Sequence, residues 1–198
     1  MLIATFFIMG LGLCDGNSLA QNLTRRTIRV VRTEDNLRLL TYTPDLEEYI
    51  PKCLMSRFLK RTREGATRTL ETNNKLESKE INTDGQFAEL YKTISISVKS
   101  GTPPYLQTTS DKGPLPPAWP ETQYVQHAKP EQCLILGSSP DETRKHPCTL
   151  WGFKKCNTSC VIKCQKIFVK KCGVGRVVDL TKCTPIEAEK GDSKYPPK

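Results

Sequence analysis

The chain has 198 residues and a formal net charge of +9 at pH 7. That length is enough for one domain with a real hydrophobic core. No segment after residue 20 is apolar enough to cross a bilayer, which needs about 20 apolar residues. The positive charge favours anionic partners, although secreted proteins also use such charge for solubility alone.

The first segment, residues 1–20, differs from the rest of the chain. An apolar run from Leu2 to Cys14 is followed by small and polar residues. Ser18 and Ala20 are small residues of the kind that signal peptidase accepts, so we predict a signal peptide that is cut after Ala20. The run is too short to span a bilayer. We therefore predict a secreted, extracellular protein.

Cysteines dominate the C-terminal part of this secreted chain. Eight remain after the signal: Cys53, Cys133, Cys148, Cys156, Cys160, Cys164, Cys172 and Cys183. An even number in an oxidising compartment predicts disulfides, and eight cysteines allow 105 complete pairings. Two glycosylation sequons begin at Asn22 and Asn157, which predicts surface positions for both.

Short strands are predicted through the first half of the chain. Residues 21–40 form a polar lead-in with short apolar alternation. Residues 53–70 predict two short strands around a turn at Glu64-Gly65. Residues 92–100, KTISISVKS, predict the clearest strand, because apolar residues alternate with serine and threonine.

Residues 101–120 contain six prolines. Proline cannot donate to a sheet ladder, so this segment predicts a long loop or a barrel mouth and not a central strand. The stretches YVQHA, CLILG and CTLWGF that follow predict three more strands. Short strands separated by turns indicate an antiparallel sandwich or barrel.

One amphipathic helix is predicted at residues 160–172. Its apolar face is formed at helical spacing by Val161, Cys164, Phe168 and Cys172. Lysines take the opposite face, and Gly173 is the predicted C-cap. Beyond the helix, GRVVDLTKC predicts a last strand that ends in Cys183, and residues 184–198 predict a disordered polar tail.

Catalytic and metal sites are weakly supported. Cys156, Cys160 and Cys164 are four residues apart, but disulfides are favoured over zinc in an oxidising compartment. A disulfide between Cys156 and Cys160 requires that stretch to be a loop ahead of the helix. His127 and His146 show no triad pattern. We predict no enzyme activity, no cofactor and no metal.

The lysines around residues 154–171 could bind a polyanion, or could be the solvated face of the helix. Nucleic acid is disfavoured because few aromatic residues accompany them. Trp151, at the end of a predicted strand, has two interpretations of equal weight. It could line an apolar binding cavity or fill the core between barrel and helix.

Several pieces of the sequence, in order, resemble the tick salivary lipocalins, also called the tick histamine-binding proteins. LTRRTIRVVRTEDNLRLLTYT resembles the N-terminal helix and first strand of the family, and KCLMSRFLKRTREGATRTL its next strands. The paired late strands of the family are resembled by CLIL together with CTLW. Its C-terminal helix is resembled by CQKIFVKKCG, and its closing strand is resembled by VVDLTKC. The resemblance covers residues 21–183.

The resemblance implies an all-β fold with one flanking helix: an eight-stranded antiparallel lipocalin barrel with a C-terminal α-helix, stapled by disulfides. The implied disulfides are Cys53–Cys183, Cys133–Cys164 and Cys148–Cys172. Cys156 and Cys160 are additional to the usual cysteines of the family. We predict by elimination that they pair with each other. A barrel of eight strands can hold one small ligand.

Family members are secreted at the feeding site, where they sequester host mediators such as histamine, serotonin or leukotrienes, and some bind complement proteins. The implied ligand site includes Trp151, Leu134, Thr149 and Tyr42. Leu134 and Thr149 stand where amine-binding members carry acids. An eicosanoid or fatty-acid-like ligand is therefore favoured over an amine. The alternative is a lipocalin that blocks a host complement, clotting or chemokine factor. Neither nucleic acid nor membrane is an expected partner.

Overall fold

The computed structural model describes residues 16–51, 53–72, 90–117, 119–141 and 144–183, and its strands form one closed antiparallel barrel. The strands are β1 (Leu37–Tyr42), β2 (Leu54–Ser56), β3 (Phe58–Arg61), β4 (Gly65–Thr72), β5 (Tyr91–Lys99), β6 (Tyr105–Ser110), β7 (Thr122–Lys129), β8 (Cys133–Gly137), β9 (Cys148–Phe153) and β10 (Arg176–Val177). Only Arg57 separates β2 from β3. Because both of these strands pair with β4, they form one bent strand of the barrel. The barrel closes between β1 and β9. The predicted eight-stranded barrel is confirmed, and β10 is a short addition beside β1.

Side-chain alternation gives β8 and β9 two different faces. Along β8, Leu134 and Leu136 belong to the apolar cluster inside the barrel. Cys133 and Ile135 belong to a second cluster on the outside, where they pack against helix α2 (Thr158–Cys172). Successive residues of a strand point to opposite faces, so one short sequence serves both clusters.

Helix α1 (Gly16–Val31) lies across one end of the barrel, with Val30 and Val31 buried in the interior cluster. The loop after α1 is held by Arg68 of β4, which is fully buried. Its guanidinium donates to the backbone oxygens of Val31 (3.1 Å), Thr33 (2.7 Å) and Asp35 (2.9 Å). It also donates to the hydroxyl and the carbonyl of Ser56, each at 3.0 Å. Every donor group of this buried cation is therefore satisfied.

Helix α2 packs on the outer face of β8 and β9 through the fully buried ring of Phe168. It begins at Thr158, two residues before the predicted start, where the Asn157 side chain accepts a hydrogen bond from the Cys160 backbone N–H (3.0 Å). It ends at the predicted cap, Gly173, whose φ of 92° is one that glycine adopts readily.

Four disulfides join the parts of the barrel: Cys53–Cys183, Cys133–Cys164, Cys148–Cys172 and Cys156–Cys160. The first three are the pairs that the resemblance implies. Cys156 precedes α2 and Cys160 lies in its first turn, so part of the stretch is a loop, as this pairing requires. Two of the bonds tie α2 to β8 and β9, and the Cys53 bond ties the segment that follows β10, at Cys183, to the start of β2.

Three sequence predictions need correction. The proline-rich segment 101–120 contains a central strand, β6, paired with both β5 and β7. The prolines flank β6 and do not interrupt it, so the proline content of the window concealed it. Residues 21–31 of the lead-in belong to helix α1, which the resemblance to the family's N-terminal helix implies and which the apolar alternation did not indicate. The last strand is reduced to β10 and is followed by a 3₁₀ turn at Leu180–Lys182.

Residues 1–15 of the predicted signal peptide and the predicted disordered tail, residues 184–198, lie outside the described residues. Within the described part of the chain, neither helix combines the length and apolar character needed to cross a membrane.

We expect Arg68→Met to lower the free energy of unfolding by about 3 kcal/mol or more, because it leaves several buried carbonyl oxygens without a donor. Urea unfolding followed by circular dichroism measures the change. The control is Arg61→Met on neighbouring β3, where the arginine side chain is 67% exposed; we expect less than about 0.5 kcal/mol there. Equal losses in the two variants would contradict the role of Arg68.

His127 lies on β7 opposite Ile135 of the outer cluster. Its Nε2 atom is buried and has no hydrogen-bond partner within the described part of the chain. Burial lowers the pKa of His127, and the positive charges of Lys171, Arg26 and Lys129 lower that pKa further.

Because this folded-state pKa lies below the unfolded value of about 6.5, the unfolded chain binds the proton more readily, and stability falls as the pH drops below about 6.5. We expect His127→Gln to lose less stability than the parent protein between pH 7.5 and pH 5, measured by urea unfolding at each pH. An unchanged pH profile in His127→Gln would refute the assignment.

Candidate functional site

The structure places all four predicted ligand-site residues on the inner face of the barrel. Leu134 of β8 lies directly opposite Trp151 of β9. Tyr42, at the end of β1, lies opposite Thr149 of β9. Leu134, Thr149 and Trp151 are buried, and Tyr42 is half-buried at the end of the barrel away from α1. These residues line one connected wall of the interior.

Trp151 is in edge-to-face contact with Trp119, with ring centroids 5.0 Å apart and planes at 76°. Trp119 belongs to the segment that joins β6 to β7, yet it is only 3% exposed. Its indole N–H donates to the Thr108 hydroxyl of β6 (3.2 Å), and that of Trp151 donates to the Thr149 hydroxyl (3.0 Å). Both indoles are thus satisfied without water.

Sequence reasoning missed Trp119 because the residue lies between Pro117 and Pro120 in a segment predicted to be an irregular loop. The available signal was a large aromatic residue in an otherwise polar and proline-rich stretch. The neighbours of Trp119 in this segment, from Asp111 to Pro114 and at Pro117 and Pro120, are exposed. The tryptophan is therefore inserted into the barrel by a loop whose other described residues are exposed or, like Leu115, only partly buried against the interior cluster.

Gln123 of β7 is a second residue that the sequence did not single out. It lies opposite Leu106 of the interior cluster and is only 4% exposed. Its Nε2 atom is buried and has no hydrogen-bond partner among the described residues. An unpartnered amide nitrogen in an apolar interior is costly, so it is suited to donate to an oxygen of a bound molecule.

The charged groups near the interior are Arg68, which is satisfied by neutral acceptors, the Glu71–Arg57 ion pair, and Asp35, whose Oδ2 atom is buried without a hydrogen-bond partner among the described residues. Burial lowers the pKa of Arg68 to about 10, a shift that the nearby Asp35 partly offsets, so the guanidinium is charged at neutral pH. Glu71, which is buried, forms an ion pair with Arg57. The strand alternation places Glu71 on the outer face, since Leu70 points inward. No Asp or Glu of the described strands points into the interior.

Tyr42 lies near the ion pair between Glu47 and Arg176 at the barrel mouth, in which the nitrogen and oxygen are 3.4 Å apart. Burial raises the pKa of Tyr42, and Glu47 raises that pKa further, while Arg176 opposes both effects. The phenol is therefore neutral at physiological pH and can donate or accept a hydrogen bond. Glu47 is half exposed to solvent, so it is not a buried partner for a cationic ligand.

No protein-family model matches the sequence. No curated protein matches it either. Among solved structures, the chain is similar to Japanin from Rhipicephalus appendiculatus bound to cholesterol, with a TM-score of 0.55 and 17% identity over 75% of this chain and 94% of that chain. It is also similar to lobster apocrustacyanin A1, with a TM-score of 0.49 and 13% identity over 86% of this chain and 83% of that one.

The likeness to Japanin shows the fold, and the barrel is a lipocalin fold. That result confirms the fold class implied by the sequence resemblance. Membership of the histamine-binding branch remains a prediction.

We expect Trp119→Ala to lower the free energy of unfolding by about 3–5 kcal/mol, because it leaves a void beside Trp151. The same void should admit N-phenyl-1-naphthylamine, whose fluorescence rises in an apolar site. Trp119→Phe keeps a ring in place and should bind less probe than Trp119→Ala. A loss below about 1 kcal/mol in Trp119→Ala, with no probe binding, would show that Trp119 does not fill the interior.

Proposed function

We propose that this protein is a secreted lipocalin that sequesters a small apolar host mediator, such as an eicosanoid or a fatty acid, and thereby suppresses the inflammatory defence of a host. The observation that carries the proposal is the chemistry of the inner wall. Leu134, Thr149 and Trp151 face inward together, and no described strand supplies an inward acid.

The absence of an acid on the described inner wall argues against an amine ligand. A buried ammonium without a counter-charge costs several kcal/mol. Leu134 and Thr149 occupy inward positions, so the two substitutions relative to amine-binding members change the inner wall itself. Neutral hydrogen-bond groups remain at Thr149, Gln123 and Tyr42, and these fit the hydroxyl, ester or carboxyl oxygens of a lipid.

The ligand has to replace Trp119. The indole of Trp119 already packs against Trp151, so an apolar molecule that enters the barrel competes with it for the same surface. This exchange is feasible because Trp119 belongs to a surface loop and not to a strand. Japanin, a solved structure with the same fold, was determined bound to cholesterol, which supports an apolar ligand class.

Secretion is supported by the disulfides, which are typical of extracellular proteins. In the proposed mature protein the lipocalin domain is residues 21–183. Both sequon asparagines are exposed, Asn22 on α1 and Asn157 ahead of α2, so both are proposed as glycan sites.

The test uses intrinsic fluorescence, since Trp119 and Trp151 are the two tryptophans of the chain. The mature disulfide-bonded protein is titrated separately with arachidonic acid, leukotriene C4, cholesterol, histamine and serotonin. We expect a saturable change with at least one of the three apolar ligands and none with the amines. Trp119→Phe should retain the signal through Trp151. Tight binding of histamine, or silence with all three apolar ligands, would contradict the proposal.

A second function is favoured by a specific feature, the filled interior. If Trp119 stays in place, the barrel acts through its surface, and the exposed Ile162 and Val169 beside the lysines of α2 form an apolar and basic contact face. This alternative is a lipocalin that blocks a host complement, clotting or chemokine factor. It is favoured if none of the five small molecules changes the fluorescence.

A further inference from the structure

Three sulfur atoms from two different disulfides meet at the start of α2. The Sγ atoms of Cys156, Cys160 and Cys164 all lie within 4.8 Å of one another. Cys156 is bonded to Cys160, whereas Cys164 is bonded to Cys133 of β8. A metal ion would need free thiolates, and all three sulfurs are already in disulfides. The cluster therefore places two disulfides side by side.

The Cys156–Cys160 disulfide is the accessible one of the four. Cys156 and Cys160 are half-buried, whereas the other six disulfide cysteines are at most 6% exposed. A soluble thiol can thus reach this bond first, because exchange depends on access to the attacked sulfur.

The surroundings of this bond favour a thiolate. Cys160 lies in the first turn of α2, where the helix N-terminus stabilises negative charge. Lys155 and Lys163 are exposed close by in the sequence. The sequence contains no Asp or Glu between Cys148 and Val178. A cysteine released here is therefore held as a more reactive thiolate than one in apolar surroundings.

We propose that Cys156–Cys160 is an exchange-active disulfide that passes its bond to Cys164 when a dithiol reductant opens it. One thiolate of the dithiol attacks Cys156 Sγ, and Cys160 leaves as a thiolate. The second thiol of the dithiol then attacks the other sulfur atom of the dithiol, which is bonded to Cys156 in the mixed disulfide. Cys156 is released as a thiol, and the dithiol is oxidised to a cyclic disulfide, so two electrons pass from the dithiol to the protein.

The Cys160 thiolate then attacks Cys164 Sγ. A Cys160–Cys164 bond forms, the Cys133–Cys164 bond breaks, and Cys133 leaves as a thiolate that takes up a proton. Cys160 and Cys164 both lie in α2 at i, i+4 spacing, where Cβ atoms are about 5–6 Å apart, so the first turn of α2 has to unwind for this bond to form. No further electrons are needed for this step, because it exchanges one disulfide for another. Its consequence is structural: α2 loses its covalent link to β8 and keeps its link to β9 through Cys148–Cys172.

The first test is a reduction time course on the mature protein at pH 7.5 with dithiothreitol. Samples are quenched in acid, unfolded, alkylated and digested with trypsin. Lys163 lies between Cys160 and Cys164, so trypsin converts a Cys160–Cys164 bond into two linked peptides. We expect Cys156 to be alkylated about tenfold faster than Cys148 and Cys172. Alkylated Cys133 should appear together with the linked peptides.

Labelling confined to Cys156 and Cys160, with the Cys133–Cys164 peptide intact until all disulfides open, would overturn the transfer. Labelling of Cys156 no faster than of Cys148 would overturn the exchange-active assignment as well.

The second test uses Cys156→Ser, which leaves one unpaired cysteine in the cluster. We expect the free thiol to be found on Cys160 in some molecules and on Cys133 in others, with Cys160–Cys164 bonded in the latter. Cys53→Ser is the matched control, because it frees Cys183, whose sulfur is not in the cluster. Its thiol should stay on Cys183. A thiol found on Cys160 alone would overturn the transfer, and if the variant fails to fold, the time course on the unmodified protein decides.

Discussion

The guanidinium of Arg68 places a full positive charge inside an apolar barrel, and it holds together the end of the barrel beside α1. A buried cation is tolerated where its donors are all used, and the planar guanidinium offers more donors than any other cationic side chain. Three of the accepting carbonyls belong to the last residue of α1 and to the turn that follows it, which fixes the point where the chain enters β1. From that entry point β1 pairs with β9, where Leu39 lies opposite Trp151 and Tyr42 lies opposite Thr149.

Strands β8 and β9 carry both of the features that define this molecule. Their outward residues, two of them cysteines, hold α2 against the barrel. Their inward residues, Leu134 and Trp151, form the wall of the candidate site. A shift of one residue in their pairing would exchange the two sets and destroy both. The disulfides to α2 therefore secure the geometry of the interior as well as the attachment of the helix.

Much of this could be predicted because alternating apolar patterns are local signals. Strands β5, β7, β8 and β9 were visible in the sequence, as was the helix that ends at Gly173. Strand β6 was hidden because prolines crowd both of its ends. Trp119 was missed for a related reason, since its burial depends on Thr108 and Trp151, which are distant in sequence. Gln123 could not be identified because the residues that fold around a buried amide decide whether it has a hydrogen-bond partner, and the local sequence does not show them.

The order of the disulfides along the chain has a consequence for resistance to proteases. Cys53–Cys183 encloses the other three bonds, and Cys133–Cys164 and Cys148–Cys172 overlap in sequence. A single backbone cut at any point between Cys53 and Cys183 therefore leaves two fragments that are still joined covalently. A molecule nicked in this way would keep its strands together.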